Sequence, residues 1–506
     1  MTPPATQPCR SGDKTRIGFF IAAALVAALL AITARSFWID ECYTALIAQQ
    51  PTLADWWRHL LAEHCSDIAQ PFYVFWIWLC EKMVGSSELA LRAVNVFWFA
   101  GGLLAVVWSF AGRRTLQMAV FLTAAASPFV WYYLNEARSY SMQLNASLML
   151  FSLIHHWWDK PDTLVISARK QAWLFVAVWV LLCGSSMLSM ILGLTPLLLV
   201  GVLLPWKNIF VLLRAGWPAW LTAFGLLSFL GVYYLWTKHL GQLATPATGA
   251  DWRNALFIGY ELLGFAGLGP GRLEIRADGF HAFKPYAIGL AVYGVLVAGI
   301  IVLALRKLWH RLGGRKLLAV MLATGLPALI LLGLASGLHF RILGRHCAAL
   351  APAGFFLLGL GLAQAWRGGW PGRALAAGFL VFYLASAGSL RFAHRHEKDN
   401  YRAAAVIARQ ALADGKTVWW AACGDAAIYY HVPVVPPGSA TPAIALLMMN
   451  PAPETVRTAA PPDMIILSRR EVYDPLGLLA EFMELRHYRA MTNLVAFTVW
   501  QSEAGK

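Results

Sequence analysis

The chain reads as a mainly α, polytopic membrane protein with about 11 transmembrane helices, further interfacial helices and a small C-terminal extracytoplasmic α/β domain. Three observations predict this. Of 506 residues, 59% are hydrophobic and 13% charged, with 23 Trp, a make-up unlike that of a soluble domain. Apolar runs near the length that crosses ~30 Å of hydrocarbon recur over the first four fifths of the chain. The remainder alternates short apolar stretches with polar and proline-rich ones, as a small soluble module does. The expected division is therefore a membrane domain over 1–390 and a soluble domain over 391–506.

The first apolar run, 17–34, follows basic residues and precedes small ones, as a signal peptide would. It is longer than a usual signal core and no clean cleavage site follows, so it reads as a signal anchor. Further spans are expected at 92–111, 115–134, 141–158, 172–190, 191–204, 217–236, 286–305, 317–336, 347–365 and 374–390. Pro71–Val84 is short and Glu81-Lys82 interrupts its end, so it reads as an interfacial or re-entrant helix. With that segment outside the bilayer, Arg113-Arg114, Lys160/Arg169/Lys170, Lys207/Arg214, Arg306 to Lys316 and Arg367/Arg373 share the cytoplasmic face. The expected topology in the cytoplasmic (inner) membrane is N-terminus in, C-terminal domain extracytoplasmic or periplasmic. The net charge of +15 thus reports membrane orientation, and no nucleic-acid partner is implied.

In the C-terminal part, Tyr401–Ala413 has helical spacing, with Asp399 or Asn400 as cap and Asp414-Gly415 as stop. The stretches 417–422, 464–468 and 494–501 read as strands, and 433–437 and 451–462 as proline-rich loops. The seven cysteines show no metal spacing. Cys42 and Cys65 fall in one external loop, where either a disulfide or two separate thiols is open. Cys80, Cys183 and Cys347 read as packing residues.

Chemistry is sought on the external face. The loop 35–91 carries the acid pair Asp40-Glu41 just after the first span, with Asp55, Glu63, Asp67 and Gln70, and Arg92 follows it. Carboxylates at a bilayer surface are costly, so the pair is a functional candidate by default. Its plainer reading is an N-cap at Asp40 for an interfacial helix over 41–50. Residues 132–140 bring Tyr132, Tyr133, Glu136, Arg138 and Tyr140. The loop 237–285 holds Arg253, Glu261, Arg272, Arg276 and Lys284, and the loop 337–346 holds His339, Arg341, Arg345 and His346. Acids in one place and cations in others suit a reaction with an anionic leaving group and a nucleophile that loses a proton. Arg138 either holds such an anion or pairs with an acid of the first loop. Glu88 and Arg92, four apart, most simply form an ion pair on one helix. No Walker A motif, G-x-G-x-x-G or Asp-x-Asp is present to cradle a nucleotide donor, and no H-E-x-x-H or G-x-S-x-G. A lipid-anchored donor fits these absences.

Trp38-Ile-Asp-Glu41, Gln70-Pro-Phe-Tyr73, Gly85-Ser-Ser-Glu-Leu-Ala-Leu-Arg92 and Leu134-Asn-Glu-Ala-Arg-Ser-Tyr140 occur in that order. Together with Gly344-Arg-His346 and Asp399-Asn-Tyr-Arg-Ala-Ala-Ala405, they resemble the GT-C glycosyltransferase superfamily. Specifically, they resemble bacterial relatives of protein O-mannosyltransferases and of the lipid A aminoarabinose transferase, over roughly 15–400 of this chain. The resemblance implies a GT-C fold, a polyprenyl-phosphate-linked sugar donor, an extracytoplasmic active site and inversion by single displacement. It makes Asp40 the catalytic aspartate and Glu41 its supporting neighbour. Arg138, Arg341, Arg345 and His346 would then hold the donor phosphate, with Glu136, Tyr140, Gln70 and Arg92 in support. The chain departs from the pattern at Gln70, where the family often carries His or Lys. Sugar, acceptor (lipid, glycan or protein) and any divalent metal ion stay open. A transporter or flippase of lipid-linked sugars, or an O-antigen-ligase-like enzyme, is the alternative; the chain shows no internal repeat of the kind transporters carry.

Overall fold

Long runs of Leu, Val, Ala and Phe fold as helix because a bilayer offers no water to the backbone, and a helix satisfies its own N–H and C=O groups. In the computed structural model, which describes residues 11–63, 65–238, 240, 249–437, 443–447, 456 and 460–503, six helices are long and apolar enough to cross a membrane. They are Glu88–Ser109, Trp217–Thr237, Arg272–Leu312, Gly314–Gly337, Gly344–Arg367 and Trp370–Phe392, with shorter apolar helices at Gly18–Ala31 and Ser189–Leu203. The molecule is a polytopic, mainly helical integral membrane protein.

The described residues fall into two units. One comprises Met1–Thr33, His64–Ile77 and Arg92–His396; the other comprises Ala34–Glu63, Trp78–Leu91 and Glu397–Lys506. In the first, Asn95–Ser109 packs on Tyr140–Asp159, and Ala351–Arg367 packs on both Arg114–Ala125 and Ala287–Leu312. Glycine makes the last two approaches close. A Cβ on Gly359 would sit 2.7 Å from Val120 Cα, and one on Gly361 would lie 2.0 Å from Ile300 O. Without a hydrophobic drive between helices in lipid, such close backbone packing supplies the attraction. The outward face stays apolar: on Trp217–Thr237, Leu221, Phe224, Phe229, Val232 and Leu235 are all exposed, as a lipid-facing side should be.

Two expected spans prove to be broken. The run 115–134 divides into Arg114–Ala125 and Pro128–Leu134, because Pro128 cannot continue the first helix and Ser127 caps the second through Val130 N–H. The run 191–204 divides at Gly193 into Ser189–Leu192 and Leu194–Leu203. Pro71–Val84 is a 14-residue helix, roughly 21 Å long and short of the ~30 Å hydrocarbon core.

The second unit contains a six-stranded sheet. Its strands are β1 (Val418–Ala421), β2 (Val434–Val435), β3 (Ile444–Leu446), β4 (Met464–Ser468), β5 (Tyr488–Leu494) and β6 (Phe497–Ser502), in the order β2-β3-β1-β4-β6-β5. The first four are parallel; β6 adds antiparallel to β4, and β5 antiparallel to β6. The helix Tyr401–Ala413 forms where expected, capped by Asn400 and stopped before Gly415, whose φ of +75° suits glycine. The stretch 494–501, read as one strand, is instead a hairpin turning at Val495-Ala496. Ala496 takes φ +66° there, and no Gly or Pro flags the turn. The segment 433–437 includes the short edge strand β2. Most of the proline-rich 451–462 lies outside the described residues.

Candidate active site

In the first unit, two of the motifs are joined through Asn95. Tyr73 OH donates to Asn95 Oδ1 (3.3 Å), and Asn95 Nδ2 donates to the carbonyls of Glu136 (2.6 Å) and Leu134 (3.3 Å). Arg138 donates from Nη1 to Asp67 Oδ2 (2.5 Å) and from Nη2 to Ser66 Oγ (2.7 Å), and both charged side chains are about 1% exposed. Of the two roles the sequence allows Arg138, the geometry supplies the ion pair with a first-loop acid. Cys65 is a free thiol whose Sγ donates to Asp67 Oδ2 (3.4 Å), so it forms no bridge with Cys42. Gln70 is buried and its Nε2 donates to Ser66 O (3.4 Å). Arg92 Nη1 donates to Thr33 O, and Glu88 Oε1 accepts from Arg402.

Beside this scaffold, guanidinium groups crowd together. Arg272 Nη2 donates to Tyr133 OH (2.7 Å) and to Glu261 Oε1 (3.0 Å), and its guanidinium lies 4.4 Å from the Tyr132 ring centroid. Arg345 lies 5.7 Å from the ring of Tyr140, which in turn packs edge-on against Tyr133. Arg341 is exposed and forms no ion pair among the described residues. Although its side chain reaches solvent, partial desolvation, then the charges of Arg345 and Arg272, pulls its guanidinium below the ordinary value. Near His346, the backbone N–H of Leu343 donates to Nδ1 (3.1 Å), which fixes the ring's remaining proton on Nε2 if the ring is neutral. Glu261 seats directly on Gly344, where a Cβ would come within 2.2 Å of Oε2. That contact gives the glycine of Gly344-Arg-His346 its physical reason. The cluster borders a cleft lined by Tyr132, Tyr133, Tyr260, Glu261, Arg272 and His396.

The second unit carries the acid pair on the helix Ile39–Ala48. Trp38 occupies the cap position, so Asp40 and Glu41 sit in the first turn and Asp40 is not the N-cap. The positive end of the helix dipole favours carboxylates there. Asp40 is half-buried, and its carbonyl accepts from Thr44 Oγ1 (3.0 Å). Glu41 is fully buried; its Oε2 accepts from Trp38 N–H (3.5 Å) and lies 3.7 Å from Lys398 Nζ.

No protein-family model matches the chain, and no curated protein matches it in sequence. Among solved structures, ArnT from Cupriavidus metallidurans in the apo state is similar over 97% of this chain and 98% of that one, at 13% identity and TM-score 0.52. The same protein bound to undecaprenyl phosphate is similar over 98% and 99%, at 12% identity and TM-score 0.51. The chain has the ArnT fold. A weaker likeness is to arabinofuranosyltransferase AftD from Mycobacteria, at TM-score 0.40 and 15% identity, covering 96% of this chain and 40% of that one.

On this ArnT-like frame, Arg341, Arg345 and His346 lie close enough to influence one another electrostatically, with Arg272 among them. Glu136 and Tyr140 border the same cluster. Sequence reading placed Arg272 and Glu261 in an external loop without a role. The one signal there was a pair of charges in a long loop, since neither sits at a motif spacing from residues 341–346. Among the described residues, no group of three or more His, Cys, Asp or Glu is placed to hold a metal ion.

Proposed function

We propose that the chain is an integral membrane glycosyltransferase that moves a sugar from a polyprenyl-phosphate donor to a lipid, glycan or protein acceptor at the extracytoplasmic face. One observation carries the reading: Arg272, Arg341 and Arg345 lie close enough to act on one another electrostatically, and Arg272 lines an aromatic cleft with Tyr132 and Tyr133. Gathered positive charge favours an anionic ligand, and guanidinium forks suit phosphate oxygens. The ArnT structure bound to undecaprenyl phosphate supports a lipid phosphate as that anion.

The reaction is a single displacement. The acceptor hydroxyl oxygen attacks the anomeric carbon, the bond from that carbon to the phosphate oxygen breaks, and the configuration inverts. Asp40 takes the hydroxyl proton and Glu41 supports it. Arg272, Arg341 and Arg345 receive the charge that develops on the departing lipid phosphate. Arg138, locked by Asp67 and Ser66, serves the scaffold in this scheme. The N-terminus is cytoplasmic and the C-terminal domain periplasmic, as the distribution of Lys and Arg favours.

The test is transfer from radiolabelled polyprenyl-phosphate sugars by reconstituted protein, wild type beside Asp40→Asn, with membrane extract as acceptor. Transfer by the wild type that collapses in a folded Asp40→Asn supports the enzyme and its base. Equal transfer by both removes Asp40 from the mechanism. Passage of labelled lipid across the bilayer without transfer replaces the reading with a transporter.

A further inference from the structure

The stretch that leads into the acid pair, residues 34–38, is neither helix nor strand. Its polar backbone groups still need partners. Within the second unit, those partners come from the C-terminal segment. Arg402 Nη2 donates to Ala34 O (2.7 Å), and the Arg402 backbone N–H donates to Ser36 Oγ (3.1 Å). Arg35 pairs with Glu397 (3.3 Å). The Phe37 N–H donates to the Tyr430 phenol oxygen (2.7 Å), which passes its own proton toward Glu88 Oε1 (3.0 Å). Burial pushes the Tyr430 phenol above its ordinary range, so it stays a phenol and keeps both bonds. Lys398 Nζ then meets the buried Glu41 carboxylate at 3.7 Å.

These C-terminal residues are themselves anchored. Asp399 pairs with Arg469, the Asn400 N–H donates to Val495 O (3.1 Å), and Asn400 caps Tyr401–Ala413. A chain of contacts therefore runs from the sheet, through residues 398–402 and 430, to the turn that holds Asp40 and Glu41.

We infer that the C-terminal module sets the position of the acid pair, with Lys398 and Tyr430 as its positioning residues. The inference rests on the proposed role of Asp40. A base works only when held within hydrogen-bond reach of the proton it takes, and displacement by about 1 Å can cost on the order of 100-fold in rate.

The experiment compares full-length wild type, Asp40→Asn, Tyr430→Phe, Lys398→Met and Lys398→Arg in the transfer assay, with thermal unfolding in detergent measured in parallel. Tyr430→Phe keeps the ring and deletes one hydroxyl. The expected result is a kcat lower by roughly tenfold with donor KM unchanged, in both Tyr430→Phe and Lys398→Met, and recovery of most of the rate in Lys398→Arg. Faster amide exchange over residues 34–41 in Tyr430→Phe accompanies it. If Asp40→Asn is inactive while Tyr430→Phe and Lys398→Met turn over like wild type, this inference falls alone. It also falls if activity follows unfolding temperature only and Lys398→Arg does no better than Lys398→Met. An Asp40→Asn variant as active as wild type removes both the role of Asp40 and the positioning built on it.

Discussion

The guanidinium cluster of the first unit and the acid turn of the second are built on opposite principles. At the cluster, several positive groups are gathered: Arg341 forms no ion pair among the described residues, and the charges of Arg345 and Arg272 help lower its proton affinity. At the acid turn, the approach segment is tied at Ala34, Ser36 and Phe37, and Glu41 faces Lys398. The first arrangement gathers like charge, which favours an anionic ligand. The second is fixed before any ligand arrives. The contrast suits a reaction in which one group must bind and release an anion while another must hold still.

Four substitutions would break or sharpen that contrast, taken from the largest expected effect to the smallest. Asp40→Asn should lower kcat by roughly 10³-fold, within the usual range for a lost general base, with unfolding temperature near wild type. Arg138→Met should act on stability and not on donor binding. Removing one partner of its buried pair with Asp67 costs about 3–5 kcal/mol, and thermal unfolding in detergent would show it. A stable Arg138→Met with weakened donor binding would move Arg138 from the scaffold into the phosphate site.

Arg341→Gln should raise donor KM by roughly 30-fold, as loss of a charge-assisted hydrogen bond does, while leaving unfolding unchanged. A KM equal to wild type would mean the cluster does not bind the donor. The smallest effect concerns His396, in the cleft beside Glu261 and Arg272. Burial, then Arg395, holds its imidazole down at about 4 against an ordinary 6.5. Between those values the unfolded chain takes up a proton that the folded chain refuses. Stability should therefore be full above about 6.5 and decline as pH falls toward about 4. His396→Asn should remove part of that decline, on the order of 2 kcal/mol, in unfolding measured across the window.

The sequence resolved some features sharply and others not at all. The helix Tyr401–Ala413 carries its own cap and stop, and it forms where those signals say. The break at Ser127-Pro128 was equally visible, yet the apolar run across it masked the signal. The hairpin at Val495-Ala496 was not, because neither residue type announces a turn. The same division holds at the candidate site. Arg341, Arg345 and His346 are neighbours in sequence and remain so in space, so local reading found them. Arg272 and Glu261 reach them only because Asn254 Nδ2 donates to Ile342 O and Glu261 seats on Gly344.

By itself the sequence determined the helical membrane class, the positions of the acid pair and of the late cationic segment, and the presence of a C-terminal α/β module. Hydropathy, charge and capping act within a few turns of chain, and such terms can be read without coordinates. Only the tertiary structure decided that Arg138 is spent on Asp67, that Arg272 joins the cations, and that Lys398, Arg402 and Tyr430 hold the acid turn. Those contacts link residues from about 70 to nearly 400 positions apart, and the hydrogen-bonded partners are chosen by which buried polar groups the folded chain leaves within reach.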